Sequence, residues 1–186
     1  MSVGFPRATL DDLYKVEGKA ELIGGRVVEF MASGDLPSEV SLNIALSLRV
    51  YAKTTCVGVA KADGIGFSVP ELTSGRESFS PDASYHVGPR PTNAMRFIEG
   101  APTFAVEVRS ENDYGPSAEI EMAEKRADYF EAGTIVVWDV DPEAEEVRVY
   151  RAADPTQVTI FRRGETAEAD PAVPGWTMLV NDIFAV

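Results

Sequence analysis

The sequence predicts a single α/β domain that spans residues 1–186. About 45% of the residues are hydrophobic, which is enough for one sizeable core. Two apolar runs, "TFAVEV" and "TIVVWDV", flank a helical segment, as two strands joined by a crossover helix would. Further short β-like runs occur in pairs and predict hairpins.

The N-terminal part is predicted to form a short helix and a β-hairpin. Thr9 is followed three residues later by Asp12, which is typical of a helix N-cap. In "AELIGGRVVEF", Gly24 and Gly25 separate two apolar runs, and both can adopt the positive φ that a two-residue hairpin turn requires.

A long helix is predicted from a cap at Ser38 to about Ala52. Apolar residues recur along it at helical spacing: Val40, Ile44, Leu48 and Tyr51, with Leu42, Ala45 and Leu46 broadening the face. The β-like stretches "VGVAKADGIGFSV" and "FSPDASYHV" follow it.

The crossover helix is predicted from about Ser117, as its N-cap, to Ala132, with Gly133 as the residue that ends it. Its apolar stripe is expected to face the core: Ile120, Ala123, Ala127 and Phe130. Lys125 lies off the centre of that stripe, where a solvated lysine is the default. After this unit, "EEVRVYR" and "QVTIFRR" predict a hairpin, and "PGWTMLVNDIF" closes the chain.

The charge is strongly acidic, with 17 basic and 30 acidic residues and a net charge of −13. Residues 111–146 hold 12 carboxylates against Lys125 and Arg126. Such a surface counts against tight, nonspecific binding to DNA, since nucleic-acid binders usually carry a basic patch. It leaves room for a local basic groove or for a site that binds a hard cation.

Cys56 is the only cysteine, which excludes an intrachain disulfide and a cysteine-based zinc site. We expect it to be a small buried or half-buried side chain. The N-terminus lacks the apolar core of a signal peptide, and no apolar run approaches the ~20 residues that span a bilayer. The sequence therefore predicts a cytoplasmic protein without a membrane partner.

Two carboxylates are candidates for a metal site. Glu107 interrupts an apolar strand, and Asp82 begins another predicted strand in "SPDASY". If those strands are neighbours, the two side chains can supply oxygen ligands to Mg²⁺, with a backbone carbonyl and waters. Arg109 is expected on the same strand face as Glu107. The alternatives stay open at this point, because Asp82 after proline is typical of a turn and Glu107 could simply pair with Arg109.

The order of motifs resembles the Uma family of putative restriction endonucleases, a branch of the PD-(D/E)xK nuclease superfamily. The similarity rests on "AELIGGRVVEF", "SPDASY", "FIEGAPTFAVEVRSENDY", "EKRADYFEAGTIVVWDVDP", "VRVYR" and "PGWTMLVNDIF". It extends from about Leu10 to Phe184. The resemblance implies a restriction-endonuclease-like mixed β-sheet core flanked by helices.

The resemblance also implies roles for individual residues. Asp82 and Glu107 would hold Mg²⁺, for which Mn²⁺ would substitute, and Glu21 would be a third acidic participant. Lys125 would replace the lysine that usually follows the second carboxylate, and would orient or activate the attacking water. The implied reaction is hydrolysis of DNA that leaves a 5′-phosphate, and cleavage of both strands would require a homodimer. In this scheme Arg109 is expected to contact the scissile phosphate or to brace Glu107.

The chain departs from the family pattern at two places. Family members often carry a histidine near the start of the helix that follows the hairpin, where this chain has Glu39 and Val40. The segment between Glu107 and Lys125 is longer than is common in the family. Asp113 matches a family position without an assigned role. His86, the only histidine, is expected to be a hydrogen-bonded strand residue on the face of Asp82.

Two other functions remain as alternatives to a nuclease. A non-catalytic interaction domain that retains the fold would explain the acidic surface, and it would have no need of a metal site. A hydrolase that uses Asp82 and Glu107 as an acid/base pair would work without divalent ions and would raise one carboxyl pKa.

Overall fold

The computed structural model describes residues 6–185 of the chain. The helices are α1 (Leu10–Leu13), α2 (Asp35–Thr55), α3 (Pro116–Glu131) and α4 (Val180–Ile183). The first strands are β1 (Ala20–Ile23), β2 (Arg26–Glu29), β3 (Val59–Ala62), β4 (Phe67–Ser68), β5 (Ser78–Phe79), β6 (Ala83–His86) and β7 (Ile98–Glu99). The later strands are β8 (Phe104–Val108), β9 (Val136–Asp141), β10 (Glu146–Arg151), β11 (Asp154–Arg162), β12 (Thr166–Glu168) and β13 (Thr177–Leu179).

A six-stranded mixed sheet forms the centre, in the order β11-β10-β9-β8-β6-β3. β8 and β9 are parallel and joined through α3, which confirms the predicted crossover unit. The other neighbours in the sheet are antiparallel, including the predicted hairpin of β10 and β11. The α/β class and the mixed sheet are therefore confirmed.

The two faces of this sheet are covered differently. One face packs on α2 and on the C-terminal segment, and the aromatic rings of Trp138 and Trp176 lie there with centroids 5.0 Å apart. The other face packs on α3 and on a small sheet of β5, β4 and β7. Tyr129 of α3 stacks on Phe79 of β5 with ring centroids 4.1 Å apart. Polar side chains collect on this second face.

The N-terminal helix and hairpin form as predicted. Thr9 and Asp12 make a reciprocal capping box at the start of α1. β1 and β2 pair antiparallel, and the connecting Gly24 and Gly25 have φ values of 57° and 68°. Both values lie in the left-handed region, which is the reason for glycine at each position of this turn.

The predicted N-cap of α2 at Ser38 is wrong, because the helix is capped four residues earlier. Gly34 is the N-cap, and Pro37 lies within the first turn, where its missing N–H has no helical partner to lose. The helix also runs on to Thr55 rather than ending at Ala52. Of the residues expected to broaden its apolar face, Ala45 is buried, while Leu42 and Leu46 are 44% and 52% exposed.

Two expectations for α3 are wrong. The N-cap is Gly115 rather than Ser117, because Pro116, with its fixed φ, occupies the first turn. Of the predicted stripe, Ile120, Ala123 and Ala127 are exposed to solvent, and only Phe130 is half-buried against the core. The face that meets the sheet carries Ala118, Lys125, Asp128 and Tyr129 instead. Polar residues can take this face because charged partners lie opposite them, Glu107 for Lys125 and Arg76 for Asp128. The predicted role of Gly133 after the helix is confirmed, with φ at 104°.

Cys56 is exposed, which corrects the expectation of a buried or half-buried thiol. It is the C-cap of α2, in a stretch where residues 53–57 are all exposed. Within residues 6–185, none of the helices has the length and apolar character that crossing a bilayer requires.

Candidate active site

Asp82 and Glu107 lie side by side at one end of two neighbouring strands. β6 and β8 pair antiparallel with Ala83 opposite Val106, so the preceding Asp82 comes next to Glu107. The Asp82 N–H donates to the Val106 carbonyl at 3.0 Å, which continues the ladder to this point. The strand neighbourhood on which the sequence prediction depended is therefore present.

Each oxygen of Asp82 has a different partner. Oδ2 accepts a hydrogen bond of 2.8 Å from the Val108 N–H, which fixes the carboxylate on the sheet. Oδ1 accepts one of 2.5 Å from the Nζ of Lys19, and this ammonium also contacts Asp63 Oδ1 at 2.9 Å. The donor to Oδ2 is a backbone N–H, whereas the donor to Oδ1 is the flexible side chain of Lys19.

Glu107 shows the same division. Its Oε1 accepts a hydrogen bond of 2.6 Å from the Tyr129 hydroxyl, and its Oε2 accepts one of 2.8 Å from Lys125 Nζ. Tyr129 is fully buried and stacked on Phe79, so it orients the carboxylate firmly. Each of the two acids therefore has one oxygen held by a fixed donor and one that faces a lysine.

Glu21 is the third carboxylate and is fully buried. Its Oε1 accepts a hydrogen bond of 2.9 Å from the Ser80 N–H and lies 3.4 Å from Lys125 Nζ. Its Oε2 pairs with Arg76, whose Nε also donates to Asp128 Oδ2 at 2.8 Å. Lys125 thus bridges Glu21 and Glu107, and the structure brings all four of Asp82, Glu107, Lys125 and Glu21 together.

Ion pairs join five carboxylates to three cations here. We call this set the carboxylate cluster: Glu21, Asp63, Asp82, Glu107 and Asp128 with Lys19, Arg76 and Lys125. The carboxylates outnumber the cations, and this imbalance favours the binding of a further cation.

The pKa directions reflect this imbalance. Burial, with Asp82 and Glu21 nearby, raises the pKa of Glu107, although Lys125 and Lys19 oppose the shift. Burial also opposes ionisation of Glu21, but Lys125 and Arg76 outweigh it and lower the pKa of that carboxyl. Burial would lower the pKa of Lys125, and Glu107 and Glu21 reverse the direction and raise it. Of Glu107 and Glu21, Glu107 is thus the one whose negative charge is poorly compensated.

The oxygen donors fit a hard divalent cation. Among residues 6–185, no three histidine, cysteine, aspartate or glutamate side chains are arranged as a complete metal site. Asp82 and Glu107 supply two carboxylates, and Mg²⁺ usually takes only one or two from a protein and keeps several waters. The two oxygens that now face lysine ammonium groups are the natural donors, because an ammonium and a metal ion compete for the same negative charge.

Arg109 is not free for a phosphate. Its side chain is 1% exposed, and its Nε and Nη2 donate to Asp139 at 2.8 and 2.9 Å. Its Nη1 pairs with Glu119 of α3. It lies on the face of the sheet that was expected, but it braces Asp139, the register partner of Glu107, rather than Glu107 itself. The buried carboxylate of Asp139 accounts for this geometry, and no pattern in the sequence indicates the pairing.

Asp113 and His86 have structural contacts. Asp113 Oδ2 accepts hydrogen bonds from the N–H and the hydroxyl of Ser110, at 2.7 and 2.6 Å, and so closes the loop before α3. His86 is buried beside Phe67, and its Nδ1 lies 3.3 Å from the Ala101 carbonyl. In the described part of the chain, neither side chain contacts the carboxylate cluster.

Five members of the site were missed from the sequence: Lys19, Asp63, Arg76, Asp128 and Tyr129. Each contacts one of the predicted acids or a cation that pairs with one. Lys19 carries a weak signal, because it stands two residues before Glu21 and alternation places both on one face of an extended chain. Arg76 lies in a loop without periodicity, and nothing in its surroundings in the sequence indicates a role.

A comparison with protein families matches residues 8–181 to the family Uma2, described as "Putative restriction endonuclease". No curated protein matches the chain. Among solved structures, the chain resembles the crystal structure of a putative nuclease belonging to DUF820 from Anabaena variabilis ATCC 29413, with a TM-score of 0.73. The identity is 20%, over 95% of this chain and 97% of that one, so this likeness concerns the fold.

Proposed function

The chain belongs to the Uma2 family of putative restriction endonucleases, and we propose that it is a Mg²⁺-dependent endonuclease that hydrolyses DNA phosphodiester bonds. The observation that carries the proposal is the pairing of Asp82 and Glu107 at the end of adjacent strands, each with one oxygen fixed and one facing a lysine. Family membership supports a nuclease. The metal and the role of each residue are our proposal.

Asp82 and Glu107 would hold the metal, because each has one oxygen whose partner is a displaceable lysine ammonium group. When bound, Mg²⁺ would polarise a phosphoryl oxygen and lower the pKa of a bound water. The backbone N–H of Val108 and the hydroxyl of Tyr129 would keep the two carboxylates in place. Pre-organised ligands of this kind cost little reorganisation during the reaction.

Lys125 would orient the attacking water and stabilise the negative charge that develops on the phosphate. Its ammonium lies between Glu107 and Glu21, at 2.8 and 3.4 Å, so its position is set by both acids. Glu21, buried and held by Arg76 and Ser80, would position Lys125 rather than contact substrate. Arg109 is left out of the chemistry because its donors are occupied by Asp139 and Glu119.

A homodimer is part of the proposal, since cleavage of both strands requires two sites and two-fold dimers are common. Exposed apolar residues on α2, spaced four apart, support a contact surface: Leu42, Leu46 and Val50. Light scattering should give twice the chain mass for the wild type and a lower mass for Leu46→Glu. Equal masses for both at the size of one chain would contradict a dimer.

A random-sequence duplex pool tests the nuclease directly, because it contains every short recognition sequence. Incubation with Mg²⁺ should create new 5′-phosphate ends, captured by adaptor ligation and sequenced. Glu107→Gln should abolish them, whereas Glu124→Gln, which removes the same charge from an exposed position of α3, should not. The proposal is wrong if the wild type yields no more ends than Glu107→Gln.

The excess of carboxylates, with a net charge of −13, favours a second candidate function, an interaction domain that retains the fold without catalysis. Such a domain has no need of a cation at Asp82 and Glu107. Metal binding that depends on these two residues therefore separates the two functions.

A further inference from the structure

Lys19 occupies the oxygen of Asp82 that a metal ion would need. Its Nζ lies 2.5 Å from Asp82 Oδ1, and the other oxygen of Asp82 is already held by the Val108 N–H. The lysine is anchored at its backbone, because its carbonyl accepts the Phe30 N–H at 2.9 Å and so extends the hairpin of β1 and β2. Its side chain is only 20% exposed.

The same ammonium has a second partner on the side nearer to solvent. Asp63, in the turn after β3, contacts Lys19 Nζ through Oδ1 at 2.9 Å and is 44% exposed. Asp63 Oδ1 also accepts the Gly64 N–H at 2.8 Å, so the turn itself holds this carboxylate. Lys19 can therefore release Asp82 without losing its ion pair altogether.

The two lysines of the carboxylate cluster divide the acids between them. Lys125 contacts Glu107 and Glu21, and Lys19 contacts Asp82 and Asp63. The two oxygens proposed to bind the metal, Asp82 Oδ1 and Glu107 Oε2, are thus each covered by an ammonium group. Of the two lysines, only Lys19 has a partly exposed partner, Asp63, with which it can still pair after it leaves Asp82.

We propose that Lys19 is a built-in competitor for the metal. It neutralises Asp82 while no divalent ion is bound and moves onto Asp63 when one binds. This inference rests on the proposed metal site. Two cations cannot share Asp82 Oδ1 without strong repulsion at such short range. Lys19 is therefore a positioning residue that sets the metal concentration at which the site fills.

Titration of Mn²⁺ by calorimetry tests this competition without any substrate. Lys19→Met should bind Mn²⁺ about tenfold more tightly than the wild type, which corresponds to about 1.4 kcal/mol of competition removed. Lys15→Met is the matched control, because it removes the same charge from the same segment, at an exposed lysine whose partner is Asp12. Its affinity for Mn²⁺ should equal that of the wild type. Circular dichroism checks folding, and Lys19→Gln serves as a second variant.

Asp63→Asn tests whether Lys19 moves onto Asp63 when the metal binds. Without Asp63, Lys19 has only Asp82 to pair with, so Mn²⁺ should bind at least about threefold more weakly than to the wild type. In the Lys19→Met background the same change should have no effect, because no lysine remains to be displaced. An equal loss in both backgrounds would make Asp63 a metal ligand and overturn the proposed movement of Lys19.

Failure of this inference differs from failure of the metal site. If Asp82→Ala abolishes binding while Lys19→Met and Lys19→Gln bind like the wild type or more weakly, the site exists and the competition is refuted. If neither the wild type nor any variant binds Mn²⁺, the metal site itself is refuted, and the inference falls with it.

Discussion

Glu107 and Asp139 are register partners on the parallel strands β8 and β9, yet different kinds of cation neutralise them. Asp139 is fully buried and accepts two hydrogen bonds from one guanidinium, that of Arg109, and a third of 3.2 Å from Arg126. Glu107 accepts one bond from the Tyr129 hydroxyl and one from Lys125. A planar guanidinium that binds both oxygens is hard to displace, whereas a lysine holds one oxygen as a point charge. Asp139 therefore stabilises the fold, whereas the lysine on Glu107 can be displaced by a ligand.

Substitution of these two acids should have opposite consequences. Asp139→Asn leaves the buried Arg109 and the half-buried Arg126 without this carboxylate and should lower the free energy of unfolding by about 3–5 kcal/mol. Glu107→Gln removes a poorly compensated charge, so we expect less than about 1 kcal/mol of change in stability but loss of Mn²⁺ binding. Urea unfolding and metal titration of both variants measure the difference. Equal destabilisation by the two changes would refute this division of roles.

Arg109→Lys should act on stability rather than on the metal site. Lysine cannot bind both oxygens of Asp139 while also reaching Glu119, so we expect a loss of at least about 2 kcal/mol in urea unfolding. The matched control is Arg163→Lys, where the arginine also pairs with a carboxylate, Glu145, but is 43% exposed. That change should cost less than about 1 kcal/mol. A fully stable Arg109→Lys protein would show that the buried pair does not support the fold.

Lys125→Met should separate catalysis from metal binding. The side chain proposed to orient the water is removed while Asp82 and Glu107 remain, so cleavage should fall by about 100-fold or more. Mn²⁺ should still bind, because one competitor for Glu107 has gone. Lys53→Met, on the exposed side of α2, is the control for charge and should cleave normally. Normal cleavage by Lys125→Met would exclude this lysine from the reaction.

The contact between Arg109 and Glu119 predicts a pH dependence of stability. Arg109 lowers the pKa of Glu119, so the stabilisation is present above the ordinary pKa of glutamate and is lost as pH falls through the lowered value. Glu119 is 46% exposed, which limits the effect at pH 7 to less than about 1 kcal/mol. The difference in stability between wild type and Glu119→Gln should therefore shrink below pH ~4.

Urea unfolding at pH 7, at pH ~4 and at pH ~3 measures this difference. The control is Glu121→Gln, at an exposed position two residues along the same helix. It should show a smaller difference at every pH. A difference for Glu119→Gln that grows as the pH falls would contradict the sign derived above.

The sequence was sufficient to predict the two parallel strands that carry Glu107 and Asp139. "TFAVEV" and "TIVVWDV" are apolar enough to require burial on both faces, and the helix between them favours a parallel pair. An acid within such a run has few explanations other than a partner or a ligand. The hairpin at Gly24 and Gly25 was equally clear, since few other residues tolerate that turn.

The inner face of α3 could not be predicted from its own sequence. Periodicity favoured Ile120, Ala123 and Ala127, whereas the helix turns Lys125, Asp128 and Tyr129 toward the sheet. The preference depends on Glu107 and Arg76, which are distant in sequence and whose positions follow only from the complete fold. The roles of Lys19 and Asp63 could not be predicted for the same reason. Both depend on contacts around Asp82 that form only in the complete fold.

The central claim is that Asp82 and Glu107 form one divalent-cation site, and calorimetric titration with Mn²⁺ tests it most directly. The wild type, Asp82→Ala and Glu107→Ala should be compared after circular dichroism has shown that all three are folded. We expect specific binding by the wild type and its loss in both variants. Equally weak binding by all three proteins would contradict the claim and would favour an interaction domain over a nuclease.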